Sequence, residues 1–188
     1  QEYVEGKTVF QELRDKKYSE IETLKLIEEI IKILTFIQEF NLIHRDIKPD
    51  NIIRRQSDNS LVLIDFGAVK EISGSFRNKQ KTVIIGNDGY AAPEQLAGQP
   101  CLNSDIYATG MVAIHCLTGI FPRKLPKDNK TGEVMWDSDQ YVSPATASII
   151  KKMTRYHFCD RYQNAQEVMK DLKRLKIKIK QLKQSQSL

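Results

Sequence analysis

Residues 44–51 read HRDIKPDN, and residues 65–67 read DFG. Eight consecutive positions hold His44, Arg45, Asp46, Lys48, Asp50 and Asn51, and another aspartate, Asp65, follows closely. Between the two clusters lie Ile52-Ile53, the polar linker RRQSDNS (54–60) and the apolar run Leu61–Ile64. Two short apolar runs around a polar, turn-rich linker predict a β-hairpin. HRDIKPDN enters this hairpin and DFG leaves it. Both clusters then sit at the same end of one small sheet, which brings Asp46, Lys48 and Asn51 beside Asp65.

The residue types restrict the chemistry. An aspartate on a loop beside a lysine can orient an attacking hydroxyl and accept its proton. The lysine can neutralise charge on a transferred phosphoryl group. An asparagine and a second aspartate are hard oxygen donors, which suit Mg²⁺. No Ser/His or Cys/His nucleophile pattern is visible, and HExxH is missing. Positioning and charge neutralisation around Mg²⁺ are what phosphoryl transfer requires.

Upstream, residues 19–41 predict a helix. Ile21, Leu24, Ile27, Ile31 and Leu34 recur at three/four spacing, and Ser19 with Glu22 forms a capping-box pattern. Downstream, residues 68–91 read as a long surface loop, of the kind that is usually functional in a compact domain. An apolar helix is expected from Ser104 to Leu117, closed by Thr118-Gly119. Residues 121–144 carry three prolines and read as loop; further helices fit 144–156 and 163–182.

The chain of 188 residues suffices for one domain with a sizeable core. No apolar run reaches the roughly 18–20 residues that span a bilayer. Cys101, Cys116 and Cys159 are odd in number and lack CxxC spacing. They indicate neither a disulfide framework nor a zinc site, and are expected to be reduced, buried thiols of a cytoplasmic protein. The net charge of +5 is concentrated in KDLKRLKIKIKQLK (170–183), with seven basic residues against one acid. One terminal helix is thin support for nucleic-acid binding, so no nucleic-acid partner is expected. Contact with an anionic membrane is a secondary reading of the same helix.

The ordered motifs resemble the C-terminal lobe of eukaryotic-like (Hanks-type) protein Ser/Thr kinases. His44-Arg45-Asp46 with Asn51 matches HRD-x-x-x-x-N, Asp65-Phe66-Gly67 matches DFG, and Ala92-Pro93-Glu94 matches APE. GYAAPEQ (89–95) with DIYATG (105–110) is similar to bacterial, particularly cyanobacterial, members. The resemblance covers essentially the whole chain. It implies a mainly α fold, with a small β-hairpin carrying the catalytic and DFG loops. Residues 1–175 would be the C-terminal lobe of a kinase domain, and 176–188 a basic extension.

The roles implied by the resemblance are these. Asp46 is the catalytic base and Lys48 contacts the γ-phosphate of ATP. Asn51 and Asp65 hold Mg²⁺, or Mn²⁺ in its place. Phe66, next to Gly67, packs to set active and inactive states. Glu2 and Val4, in a hinge-like QEYVEG, offer backbone groups to adenine, and Ile53 packs beneath the ring. His44 is a packed structural residue, and Arg45 pairs with a phosphate on the long loop, with Thr82 the leading site. Glu94 pairs with Arg161, and Asp105 anchors the catalytic-loop backbone. The partner is a protein presenting Ser or Thr.

Two departures stand against this pattern. The chain contains no G-x-G-x-x-G and nothing like the VAIK strand. The kinase N-lobe is thus a missing partner, the natural chain is expected to extend upstream, and this fragment alone is expected to be inactive. Asn87 stands where Ser/Thr kinases usually carry Thr. The competing reading is a truncated, non-catalytic kinase-like binding module. Retention of Asp46, Lys48, Asn51 and Asp65 favours the enzyme.

Overall fold

A computed structural model of the chain describes residues 4–65, 70–71 and 88–185. The order of its elements is β1 (Gly6–Thr8), α1 (Val9–Asp15), α2 (Glu20–Gln38), β2 (Leu42–Ile43), β3 (Ile52–Arg55), β4 (Leu61–Leu63) and β5 (Lys70–Glu71). There follow α3 (Pro93–Leu96), α4 (Ser104–Thr118), α5 (Pro144–Met153) and α6 (Ala165–Ser185). The described residues are mainly helical, as the motif reading implied.

α2 starts where its capping box places it. Ser19 N–H donates to Glu22 Oε2 at 2.8 Å, and Glu22 N–H returns to Ser19 Oγ at 3.3 Å. Leu24, Ile27, Ile31 and Leu34 are buried on one face. The helix ends at Gln38, three residues short of the expected Asn41. The last turn tightens, with Asn41 N–H on Gln38 O at 3.0 Å, and Asn41 leaves in the left-handed region at φ 53°. α4 is buried along its whole length and closes on Gly119, whose φ of 71° suits glycine. It forms the centre on which α2 and α5 pack, while α6 packs against α2 and α5. α5 stops at Met153, three residues before the predicted end. α6 runs unbroken to Ser185, across the 175/176 boundary.

The hairpin pairs Ile52 with Leu63, Ile53 with Val62 and Arg54 with Leu61. It is not alone. β1 pairs antiparallel with the other edge of β3, Thr8 facing Ile53, and makes a three-stranded sheet. The sequence reading left β1 and α1 unassigned, although Thr8-x-x-Gln11 is a capping box that starts α1. α1 is tied to the hairpin by Arg54 Nε on Glu12 Oε1 at 2.8 Å. A second, two-stranded sheet pairs β2 with β5.

The cysteine expectation needs correction. Only Cys116 is buried; Cys101 is half-buried and Cys159 is exposed. The cause is position, since Cys116 sits inside α4 while the other two lie on connecting segments. Trp136 and Tyr141 are half-buried against the core, in a packing role.

Candidate active site

The loop between β2 and β3 carries HRDIKPDN. Arg45 lies in the left-handed region at φ 67°, a conformation that costs a non-glycine residue energy and persists only when its surroundings impose it. Two distant side chains supply that constraint. The Asp105 carboxylate, near the start of α4, accepts His44 N–H at 2.7 Å and Arg45 N–H at 2.9 Å. Gln95 Nε2, from α3, donates to Arg45 O at 2.6 Å. Gln95 was not singled out from sequence; its contact spans fifty residues, and no local pattern announces it.

Asp105 is 1% exposed, and burial pushes its carboxyl up to about 6 against the pull of the two backbone hydrogen bonds. The sign follows. The folded value lies above the unfolded value of about 3.9, so between those limits the native state holds a proton that the unfolded chain has lost. Stability contributed here is full below about pH 4 and falls as pH rises to about 6. The stability of the wild type relative to Asp105→Asn is expected to fall by about 3 kcal/mol across that window. Urea unfolding of both chains at several pH values measures it, and parallel curves would overturn the assignment.

Asp46 follows Arg45. Its Oδ2 receives Lys48 Nζ at 2.9 Å and Asn51 Nδ2 at 2.7 Å. Asn51 Nδ2 also donates to Asp46 O at 2.9 Å. Among the described residues both side-chain contacts of Asp46 fall on Oδ2, which leaves Oδ1 able to take a further donor. Asn51 is buried and its amide nitrogen is committed to Asp46, so its oxygen is the atom left for a cation. Pro49–Asn51 form a single 3₁₀ turn that leads into β3.

The hairpin then delivers Asp65. Ile64 N–H donates to Asn51 O at 3.0 Å, one residue before Asp65. Asp65 is exposed, with φ 65°. His44 is fully buried; burial lowers its pKa, against the opposing charges of Asp46 and Asp65 and a hydrogen bond with the Ile64 backbone. Its Nδ1 faces Asp46 N–H at 3.4 Å. Burial makes it a packed imidazole beside the Asp46 backbone.

The remaining expected residues divide in two. Ile53 and Val4 are half-buried, Ile53 on β3 and Val4 just before β1. Glu2, Phe66, Gly67, Thr82 and Asn87 lie outside the described residues. Glu94, on α3, and Arg161 form a buried bidentate pair at 2.6 and 2.8 Å. Ser104 Oγ adds a third hydrogen bond to Glu94 at 2.7 Å, a partner that sequence reasoning missed. His115 is buried in α4 with its Nδ1 2.6 Å from Tyr90 Oη, and His157 is exposed. Gly89 packs closely against the segment after α4. A Cβ there would lie 2.5 Å from Arg123 N, and its φ is 92°.

Among the described residues, the donor set fits a hard cation bound with a phosphate ester, since Asn51 and Asp65 offer oxygens and Lys48 a charge. A family model described as a protein kinase domain matches residues 1–178. Serine/threonine-protein kinase B of Synechocystis sp. is 40% identical over 177 residues, covering 90% of this chain and 31% of that protein. Serine/threonine-protein kinase C of the same organism is 41% identical over 171 residues, covering 88% and 32%. Serine/threonine-protein kinase PknA of Nostoc sp. is 38% identical over 178 residues, covering 92% and 32%. The chain spans about a third of the length of these relatives.

Proposed function

The chain belongs to the protein kinase family, and from that premise we propose that it is the catalytic-loop half, the C-terminal lobe, of a protein Ser/Thr kinase. In this reading residues 1–175 belong to the lobe and 176–188 to a basic extension. The reaction is transfer of the ATP γ-phosphoryl group to a Ser or Thr hydroxyl of a protein. One arrangement carries the reading: the Asp46 carboxylate held through one oxygen by Lys48 and Asn51, on a loop pinned by Asp105, with Asp65 delivered alongside by the hairpin.

Each residue then has a task. Asp46 Oδ1 orients the substrate hydroxyl and accepts its proton. Lys48, released from Asp46 when phosphate arrives, balances the charge of the transferring group. Asn51 and Asp65 would hold Mg²⁺, which, when bound with ATP, supplies charge neutralisation of the phosphates. Asp105 and Gln95 fix the backbone so that Asp46 needs no reorganisation at the moment of reaction. Val4 and Ile53 line the adenine side. The long loop, with Thr82, is the regulatory segment, and Asn87 tempers the coupling of Asp46 to Lys48.

The 188 residues carry no glycine-rich loop and no strand lysine for the α- and β-phosphates. Half of the nucleotide site would be open to water, which weakens every electrostatic interaction in it. The chain alone is therefore expected to give no Asp46-dependent phosphorylation of a general protein substrate. A longer protein carrying this chain behind a kinase N-lobe is expected to give it. Radiolabel transfer from γ-labelled ATP to casein, measured for both with their Asp46→Asn variants, decides. Activity of the short chain would overturn the half-site reading. Inactivity of the long one would leave a non-catalytic module.

A further inference from the structure

The outer surface of α2 and α6 forms one continuous face. Ala165 N–H donates to Gln38 Oε1 at 2.8 Å, and Lys176 Nζ reaches Glu28, so α6 runs back antiparallel along α2. On α2, Ile21, Lys25, Glu28, Lys32 and Phe36 follow three/four spacing and share one row. Ile21 is 60% and Phe36 is 62% exposed. On α6, Lys170, Lys173, Ile177 and Lys180 form the corresponding row, with Ile177 58% exposed. Glu28 is neutralised by Lys32 at 3.4 Å and by Lys176, and Asp171 by Arg174 at 3.2 Å. The face is thus cationic, with bulky apolar side chains standing out among the lysines.

We propose that the α2–α6 face docks on the surface of an anionic lipid bilayer. The lysines lie over the headgroups, and Ile21, Phe36 and Ile177 enter the boundary between headgroups and acyl chains. The charge argues for a polyanion, and the apolar side chains choose which one. A phosphate backbone offers isoleucine nothing, whereas the bilayer interface takes it out of water. The cations are lysines apart from Arg174, so the planar fork that reads base edges is nearly missing. The contact lies on the membrane, because no helix among the described residues is long and apolar enough to cross one. This inference is independent of phosphotransfer.

Co-sedimentation of the 188-residue chain with vesicles tests it. Binding is expected to phosphatidylcholine vesicles containing phosphatidylglycerol, to weaken with salt, and to be negligible for phosphatidylcholine alone. Lys173→Gln with Lys180→Gln is expected to weaken binding about 25-fold, since each lysine near an anionic surface is worth roughly fivefold. Ile177→Ser is expected to weaken it roughly fivefold through lost apolar contact. All three positions are exposed, so unchanged urea midpoints verify the fold. Binding to duplex DNA that ignores Ile177→Ser, without vesicle binding, would assign the face to nucleic acid and overturn the proposal. Equal binding to neutral vesicles, or none to either, would overturn it too.

Discussion

Arg161→Leu is expected to cost the domain about 3–5 kcal/mol, the usual consequence of removing one partner of a buried ion pair. Arg161 has a fully buried side chain, and four hydrogen bonds run from its planar fork. Nη1 and Nη2 take the two oxygens of Glu94, Nη2 also donates to Tyr156 O at 2.8 Å, and Nε donates to Arg155 O at 2.6 Å. The guanidinium lies 4.7 Å from the centre of the Tyr107 ring. Leucine fills much of the volume and donates nothing. Two carbonyls lose their donor, and the Glu94 carboxylate keeps Ser104, its own backbone N–H and a long contact from Cys101 at 3.8 Å.

Urea unfolding of the 188-residue chain measures the loss. Glu94→Gln combined with Arg161→Leu should cost less than the sum of the two singles, because the double variant leaves no uncompensated charge. A loss below about 1 kcal/mol for Arg161→Leu would mean that the pair is ornamental. Acid gives an independent arm. Burial raises the pKa of Glu94, but the hydrogen bonds from Arg161 and Ser104 outweigh it and leave the group below the ordinary range. A depressed folded pKa contributes stability above the unfolded value of about 4.3, lost as pH falls through the folded value. Glu94→Gln should lack that acid loss.

Asp46→Asn should lower the phosphotransfer rate of a longer, N-lobe-bearing protein by about 10²–10⁴-fold, the range for loss of a general base. Its stability should hardly change. The Asp46 side chain is 36% exposed, so little burial energy depends on its charge. Asparagine keeps an oxygen for Lys48 and Asn51, and what it loses is the ability to take a proton. The loss should therefore fall on kcat, with KM for ATP near wild type, because in the proposed reaction Asp46 addresses the hydroxyl and not the nucleotide. A variant within about threefold of wild type would exclude Asp46 as proton acceptor and leave it a positioning role.

The hairpin, α2 and the Asp46–Lys48–Asn51 cluster were legible because their determinants are local. Ser19 and Glu22 are three residues apart, and Asp46 reaches both partners within five. The Thr8–Gln11 signal for α1 was equally local but stood in a short segment, just after the hinge-like QEYVEG, that the sequence reading left unassigned. Glu94–Arg161 and the Asp105 anchor were named through family resemblance; no spacing in the chain pairs groups that are 67 and 61 residues apart. Gln95 and Ser104 stand beside recognised motif residues and were still passed over, because their partners are set by how α3 and α4 pack.

By itself the sequence determined which chemistry is present and which short segments form, since side-chain type and turn spacing act over a few residues. Only the tertiary structure decided which donor satisfies which acceptor across the core. That choice depends on the docking of α4 beneath the catalytic loop, which brings Asp105 to two backbone N–H groups and makes the left-handed Arg45 tenable. It likewise depends on the antiparallel packing of α6 on α2, which turns a lysine-rich run and scattered exposed apolar residues into one face. Local patterning sets what each segment can contribute, and burial of the shared core selects the one arrangement in which the buried polar groups find partners.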